Sequence, residues 1–202
     1  MSAKGTQPSS SQAASFQPAG RAPAPAPLDL VQDFVNTEIP EWARDDIATP
    51  AQLQAWLRAR GLLAADEDLD AETFVSAREL RRALRELALL NTLGASPDDD
   101  LRARIRSALS GVSLRFDVDH DGTWTLSPAG DGSRHALGAI AAVVVQAQAS
   151  GAWKRMKACR KHTCGWLFYD ASRNCSSSWC SMSICGNRTK TTAYRRRRKA
   201  TS

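Results

Sequence analysis

An α+β fold is what this sequence predicts: a mainly helical N-terminal domain with one β-hairpin, then a small cysteine-rich module that ends in a basic helix. Three observations predict it. Apolar residues recur at helical spacing in four segments between residues 28 and 109. One stretch, "VSLRFDVDHDGTWTLSP", alternates apolar and polar residues around Asp121-Gly122, the signature of a hairpin. All five cysteines fall in the last quarter of the chain, at 159, 164, 175, 180 and 185.

Residues 1–27 are rich in Ser, Gln, Ala and Pro, with no apolar run that suits a signal peptide, and are expected to form a disordered leader. "LDLVQDFVNTE", Leu28 to Glu38, follows a helical period, with Asn36-Thr37 as a cap or pocket wall at its end. "ATPAQLQAWLRARGLL" is a second helix: Thr49 is placed to cap it, Pro50 suits its first turn, Leu53, Trp56 and Leu57 share a stripe, and Gly61 stops it. "DAETFVSARELRRALRELALLNTLG" is the strongest helix, its apolar stripe running through Phe74, Ala77, Leu80, Leu84, Leu87 and Leu90. Arg81, Arg82 and Arg85 fall largely off that stripe and are read as a solvated face with intrahelical pairs rather than as an anion pocket. "PDDDLRARIRSAL" has acids in its first turn, where the helix dipole favours them. The hairpin follows, with Leu114, Phe116 and Val118 before its turn and Trp124 and Leu126 after it. Behind it, "HALGAIAAVVVQAQA" is long and apolar enough to be a buried helix. These elements make a domain of residues 28–150, leaving 151–202 as a separate module.

Charge divides the chain at the same place. Residues 151–202 carry 13 Lys and Arg against one acid, Asp170, whereas residues 1–150 carry 14 basic and 20 acidic residues. An acidic body with a basic tail seeks a polyanion, nucleic acid first and an anionic membrane surface second. No segment approaches the roughly 20 apolar residues that cross a bilayer, so a cytoplasmic protein is expected, on the nucleoid when bound to DNA. The chain has no Gly-rich phosphate loop, no His-Glu-x-x-His pair and no nucleophile elbow, and His120 and His135 stand alone. No enzyme is expected.

Cys159 and Cys164 form one C-x4-C pair; 15 residues on, Cys180 and Cys185 form another. Zinc takes four tetrahedral thiolate or imidazole ligands, and close pairs bring them to one point at small entropic cost. Between the pairs, "GWLFYD" is prone to form a strand and "ASRNCSSS" a turn. Knuckle, hairpin and helix in that order describe a treble-clef-like zinc module, too small to fold without a staple. Cys175 and Cys180 are also four apart, so spacing alone leaves open a set of Cys159, Cys164, Cys175 and Cys180, or a contribution from His162. Position favours Cys185, because backbone N–H groups at a helix start stabilise a thiolate. Cys175 is then a free thiol in a serine-rich turn. Trp166, Phe168 and Trp179 suit a small core over the metal.

Taken together, "C-x4-CGWLFYDASRN", "WCSMSICGNR-x-K" and "YRRRR" resemble the CGNR zinc-finger family of bacterial proteins, whose tetrapeptide stands here as Cys185-Gly186-Asn187-Arg188. "LDLVQDFVNTE" followed by "TPAQLQAWL" is similar to the ABATE domain that precedes that finger. The resemblance spans roughly residues 28–199. It implies one structural Zn²⁺ held by Cys159, Cys164, Cys180 and Cys185, and a transcription regulator, sometimes called stress-induced. Cys175 departs from the family, in which a basic residue is more usual.

Helical numbering from Cys185 puts Arg188, Thr192, Arg195 and Lys199 on one face, with Arg198 beside it, and Lys190, Tyr194 and Arg197 on another. The expected contacts are Arg188, Lys190, Thr192, Arg195, Arg196, Arg198 and Lys199, since arginine bridges guanine edges and lysine, threonine and arginine hold phosphates. Duplex DNA is the first partner. Structured RNA is the alternative, and the N-terminal domain is left to sense a small-molecule effector or to form a homodimer.

Overall fold

A computed structural model of the protein describes residues 17–130 and 132–187. Its N-terminal part is mainly helical: α1 (Leu28–Asn36), α2 (Pro50–Arg58), α3 (Ala71–Leu93), α4 (Asp99–Ala108) and α5 (Ser133–Ala149). The strands pair only in twos, as antiparallel β1 (Glu38–Ile39) with β2 (Arg44–Asp45), β3 (Ser113–Val118) with β4 (Trp124–Ala129), and β5 (Met156–Ala158) with β6 (Leu167–Tyr169). The result is a mixed α/β chain with small hairpins. No helix among the described residues is long and apolar enough to cross a membrane.

Local signals account for the helix ends. Thr49 and Gln52 form a capping box, the Thr49 hydroxyl accepting from Gln52 N at 3.3 Å and Gln52 Oε1 accepting from Thr49 N at 3.0 Å. Asp70 caps α3, and Gly94 ends it in the left-handed region. Val31, Phe34 and Val35 of α1, Leu53 and Leu57 of α2, Ala77, Leu80 and Leu84 of α3, and Leu137 and Ile140 of α5 fill one core. The β3–β4 hairpin lies on α5, so closely that a Cβ at Gly138 would stand 2.9 Å from Pro128 Cβ. Its far end projects, with Phe116 and Trp124 exposed and in edge contact.

Three expectations are corrected. First, the arginines of α3 do not form a solvated face: Arg81 is fully buried and Arg85 is mostly buried, while Arg82 is exposed. Both buried guanidinium groups are met by carboxylates of the β1–β2 hairpin, which packs on this side of α3. Second, the N-terminal part holds a further hairpin, β1–β2, whose strands are too short to display a period. Third, residues 17–27 of the supposed leader are packed against the rest: Ala24 is buried, its N–H donates to Gln32 Oε1 at 2.6 Å, and Gln32 Nε2 donates to Gln17 Oε1 at 2.9 Å. Residues 1–16 lie outside the described chain.

Candidate metal centre

The last part of the structure is built around the β5–β6 hairpin, in which Met156 pairs with Tyr169 and Ala158 with Leu167. Cys159 N–H donates to Trp166 O at 2.9 Å and prolongs that ladder, then Cys164 N–H closes a turn on Lys161 O at 2.8 Å. Gly165 leaves the turn with a φ of +60°. The knuckle is therefore the tip of the hairpin, whereas the sequence suggested a hairpin after it.

Asp170 follows the last residue of β6. This fully buried carboxylate accepts from Ser172 N at 3.1 Å, Ser177 N at 2.8 Å, Ser177 Oγ at 2.9 Å and Lys157 Nζ at 3.0 Å. Burial alone would raise its pKa, but these bonds, from Ser172, Lys157 and Ser177, hold it well below the usual carboxylate range. The serine-rich turn is thus wrapped around Asp170. Lys157 Nζ also donates to the carbonyls of Cys175 and Ser177.

The second cysteine pair enters a single wide helical turn, Met182–Gly186. Ser181 caps it, its hydroxyl accepting from Ile184 N at 3.2 Å while its carbonyl accepts from Cys185 N at 2.9 Å and Gly186 N at 3.1 Å. These two loops bring together Cys159, Cys164, Cys180 and Cys185, all buried, with sulfurs within 4.8 Å of one another. Cys164 Sγ stands 3.7 Å from Cys180 Sγ, and Cys180 Sγ 3.6 Å from Cys185 Sγ. A disulfide would need about 2.0 Å. Sulfurs at about 2.3 Å from a tetrahedral metal are about 3.8 Å apart, so the donor set and its spacing fit a metal ion. Hydrogen bonds from Cys164, Cys180 and Cys185 hold the Cys159 thiol far below its ordinary pKa, while the bond to Cys159 pushes Cys164 and Cys180 far above theirs. Cys185 is also lowered, the bond to Cys159 raising it and those with Cys164 and Cys180 outweighing that, so a set of four thiolates needs a cation.

Of the alternatives left open by spacing, Cys175 is outside the cluster, half-exposed at a φ of +46°, with its thiol directed at Lys154 O. His162 is exposed and also outside it. Trp166 and Phe168 are buried against the sulfurs and Trp179 packs at the side. Arg188, Lys190, Thr192, Arg195, Arg196, Arg198 and Lys199 all lie outside the described residues.

Sequence reasoning missed how far the N-terminal part builds this centre. Ile39 belongs to the same cluster, and Trp42 stacks obliquely on Trp166 at 6.1 Å between ring centres. The Asn36 amide pairs both ways with Leu167, donating to its carbonyl at 2.9 Å and accepting from its N–H at 2.8 Å, as a neighbouring strand would. Arg21 donates to the carbonyls of Cys180, Trp179 and Tyr169 at 3.1, 3.3 and 3.4 Å and lies 4.5 Å over the Phe168 ring. Lys161 is paired with Glu41. The available signals were slight: a polar pair closing an apolar helix, and a lone arginine in a proline-rich stretch.

Two family models match the chain. One, the CGNR zinc finger, covers residues 155–198; the other, ABATE, described as "Putative stress-induced transcription regulator", covers residues 28–151. No curated protein sequence matches it. The larger match takes in more than half of the chain and ends just before the hairpin that carries the cysteines, so the chain belongs to the ABATE family and bears a CGNR zinc finger at its C-terminal side.

Proposed function

We propose that the protein is a bacterial, cytoplasmic transcription regulator that binds duplex DNA through its four-cysteine module and the basic segment after it, while the N-terminal domain senses a ligand. The observation that carries this reading is the position of the buried thiol cluster. It stands directly ahead of residues 188–199, which hold seven Lys and Arg and no acid. One Zn²⁺ held by Cys159, Cys164, Cys180 and Cys185 would supply the bonds that this small module lacks in core; a closed four-sulfur site suits a structural ion, not a catalytic one. The treble-clef-like reading adds a helix running on from Cys185, with Arg188 and Arg195 aimed at base edges and Lys190, Thr192, Arg196, Arg198 and Lys199 at phosphates. No reaction is assigned to the chain. RNA loses one support, since Trp166 and Phe168 are buried and cannot stack on bases.

The test is selection of genomic DNA fragments by the full-length, zinc-loaded protein at about 150 mM salt, which suppresses counterion-driven background. A shared sequence should be enriched, and lost in the Cys180→Ser, Cys185→Ser variant. Arg188→Ala with Arg195→Ala should weaken binding without releasing zinc. Sequence-blind recovery that fades with salt, or preference for a structured RNA competitor, would overturn the DNA reading.

A further inference from the structure

A groove of about 320 Å³ runs between the outer face of α3 and the first cysteine loop. That volume lies at the small end of ligand pockets. Arg82, Arg85 and Leu89 line one wall, at spacings that share a helix face, and Ala158, Arg160 and His162 line the other. Gly165 allows the walls to approach, since a Cβ there would stand 3.2 Å from Arg85 Cδ.

The charges of this groove are not balanced within it. Arg85 is paired with Glu38, and the lining Glu86 is paired with Arg104, so those charges cancel. Arg82, Arg160 and His162 are exposed, and their side chains have no hydrogen bond or ion pair among the described residues. Arg160 is nevertheless held in place, its N–H bonded to Ser178 O at 2.9 Å. Arg85 Nε is buried and makes no hydrogen bond, although burying an unused donor is costly. It stands 3.6 Å from where a Gly165 Cβ would be, on the wall of the same groove. Leu89, Ala158 and the arginine stems make the interior apolar.

We propose that this groove binds a small organic acid, an oxyanion head on a short apolar body, with the head held by Arg82 and Arg160. Guanidinium groups grip carboxylate and phosphate oxygens in charge-assisted pairs, and the apolar interior takes the remainder. Such a ligand would tie α3 to the knuckle that carries Cys159 and Cys164. Thr92 and Asn91 of α3 already bond this hairpin, through Ala158 O at 2.8 Å and Met156 O at 2.9 Å, and Cys159 itself lines the groove, so the site adjoins the thiol cluster. The site deepens the sensing half of the function proposed above and rests on it only for the regulatory consequence.

Benzoate, phenyl phosphate and the neutral benzyl alcohol, each taken to about 20 mM because fragments of this size bind weakly, would be titrated into the isotope-labelled, zinc-loaded full chain. At least one acid should give saturable amide shifts over residues 158–165, and benzyl alcohol none. Benzoate alone would identify a carboxylate, phenyl phosphate alone a phosphate monoester. Arg82→Ala with Arg160→Ala should weaken that binding about ten-fold or more, with zinc content and melting temperature unchanged, and Arg82→Lys with Arg160→Lys should restore part of it. No saturable shift from either acid, shifts that survive the alanine pair, or equal shifts from the alcohol would overturn the site. Acid binding that persists in the Arg188→Ala, Arg195→Ala variant keeps this site independent of the DNA reading. Acid binding that leaves DNA affinity unchanged would remove the sensing role and leave the site.

Discussion

Arg81 carries a permanent charge with its side chain wholly closed to solvent, and its neighbours explain how. Nη1 and Nη2 donate to the two oxygens of Asp45 at 2.6 and 2.9 Å, Nη1 also donates to Thr37 Oγ1 at 3.0 Å, and Glu38 stands 3.8 Å away. Burial would raise the Asp45 pKa, but the bonds to Arg81 and its charge outweigh that and hold the carboxyl low. A carboxylate so lowered contributes stability that is complete above its unfolded pKa, near 4, and is lost as pH falls through the folded value. Asp45→Asn leaves a buried cation half-paired and should cost about 3 kcal/mol in urea unfolding of the zinc-loaded protein, whereas Arg81→Met, which removes the charge itself, should cost less. A loss of under about 1 kcal/mol from Asp45→Asn would show that Glu38 alone suffices. The helical period placed Arg81 largely off the apolar stripe, but its partner is 36 residues earlier, in a strand of two residues. Nothing in α3 itself announces it.

Asp70 links two elements. It caps α3 by accepting from Thr73 N and Thr73 Oγ1, both at 2.6 Å, and it also takes the hydroxyl of Ser133, the first residue of α5. Burial pushes its pKa up, but bonds from Ser133 and Thr73 outweigh this and bring it down to about 2. By the same sign rule, its contribution is complete above about pH 4 and disappears toward pH 2. Thermal unfolding between pH 5 and 2 should show that limb flattened in Asp70→Asn, while Asp70→Ala should lose about 1–2 kcal/mol at neutral pH, as for a lost cap. An acid limb identical to that of the unaltered chain would mean that other carboxylates carry it. Asp33, which burial raises to about 6 against the pull of Arg60, acts in the opposite sense, its contribution being lost as pH rises from about 4 to about 6. The five helices among the described residues were legible because each carries a helical period or a long apolar run, and α2, α3 and α4 begin at a side-chain cap. Strands β1, β2 and β5 are two or three residues long, and such lengths display no alternation.

At the scale of the whole molecule, the thiol cluster is not an appendage. Ile39 and Trp42 reach it from one side, Arg21 straps it from another, and Gln32 and Asn36 hold Leu167. Removing the metal with a chelator should therefore loosen more than residues 156–187. Amide exchange over residues 36–45, more than a hundred positions earlier in the chain, should speed up, and the fluorescence of Trp42, Trp166 and Trp179 should change with it. Unchanged protection at Ile39 and Asp45 after complete metal loss would mean that the module is an independent unit. The sequence by itself determined the helices, the Thr49 cap, the long hairpin, the two spaced cysteine pairs and the split in charge, because each can be read along the chain without knowing what it packs against. Tertiary structure alone decided which arginine is buried, that β6 pairs back to β5, that residues 17–27 belong to the fold, and that the body completes the cysteine centre. Those decisions rest on contacts such as Arg21 with Cys180, 159 residues apart, and the match of shape and charge across such a separation exists only once the chain has folded.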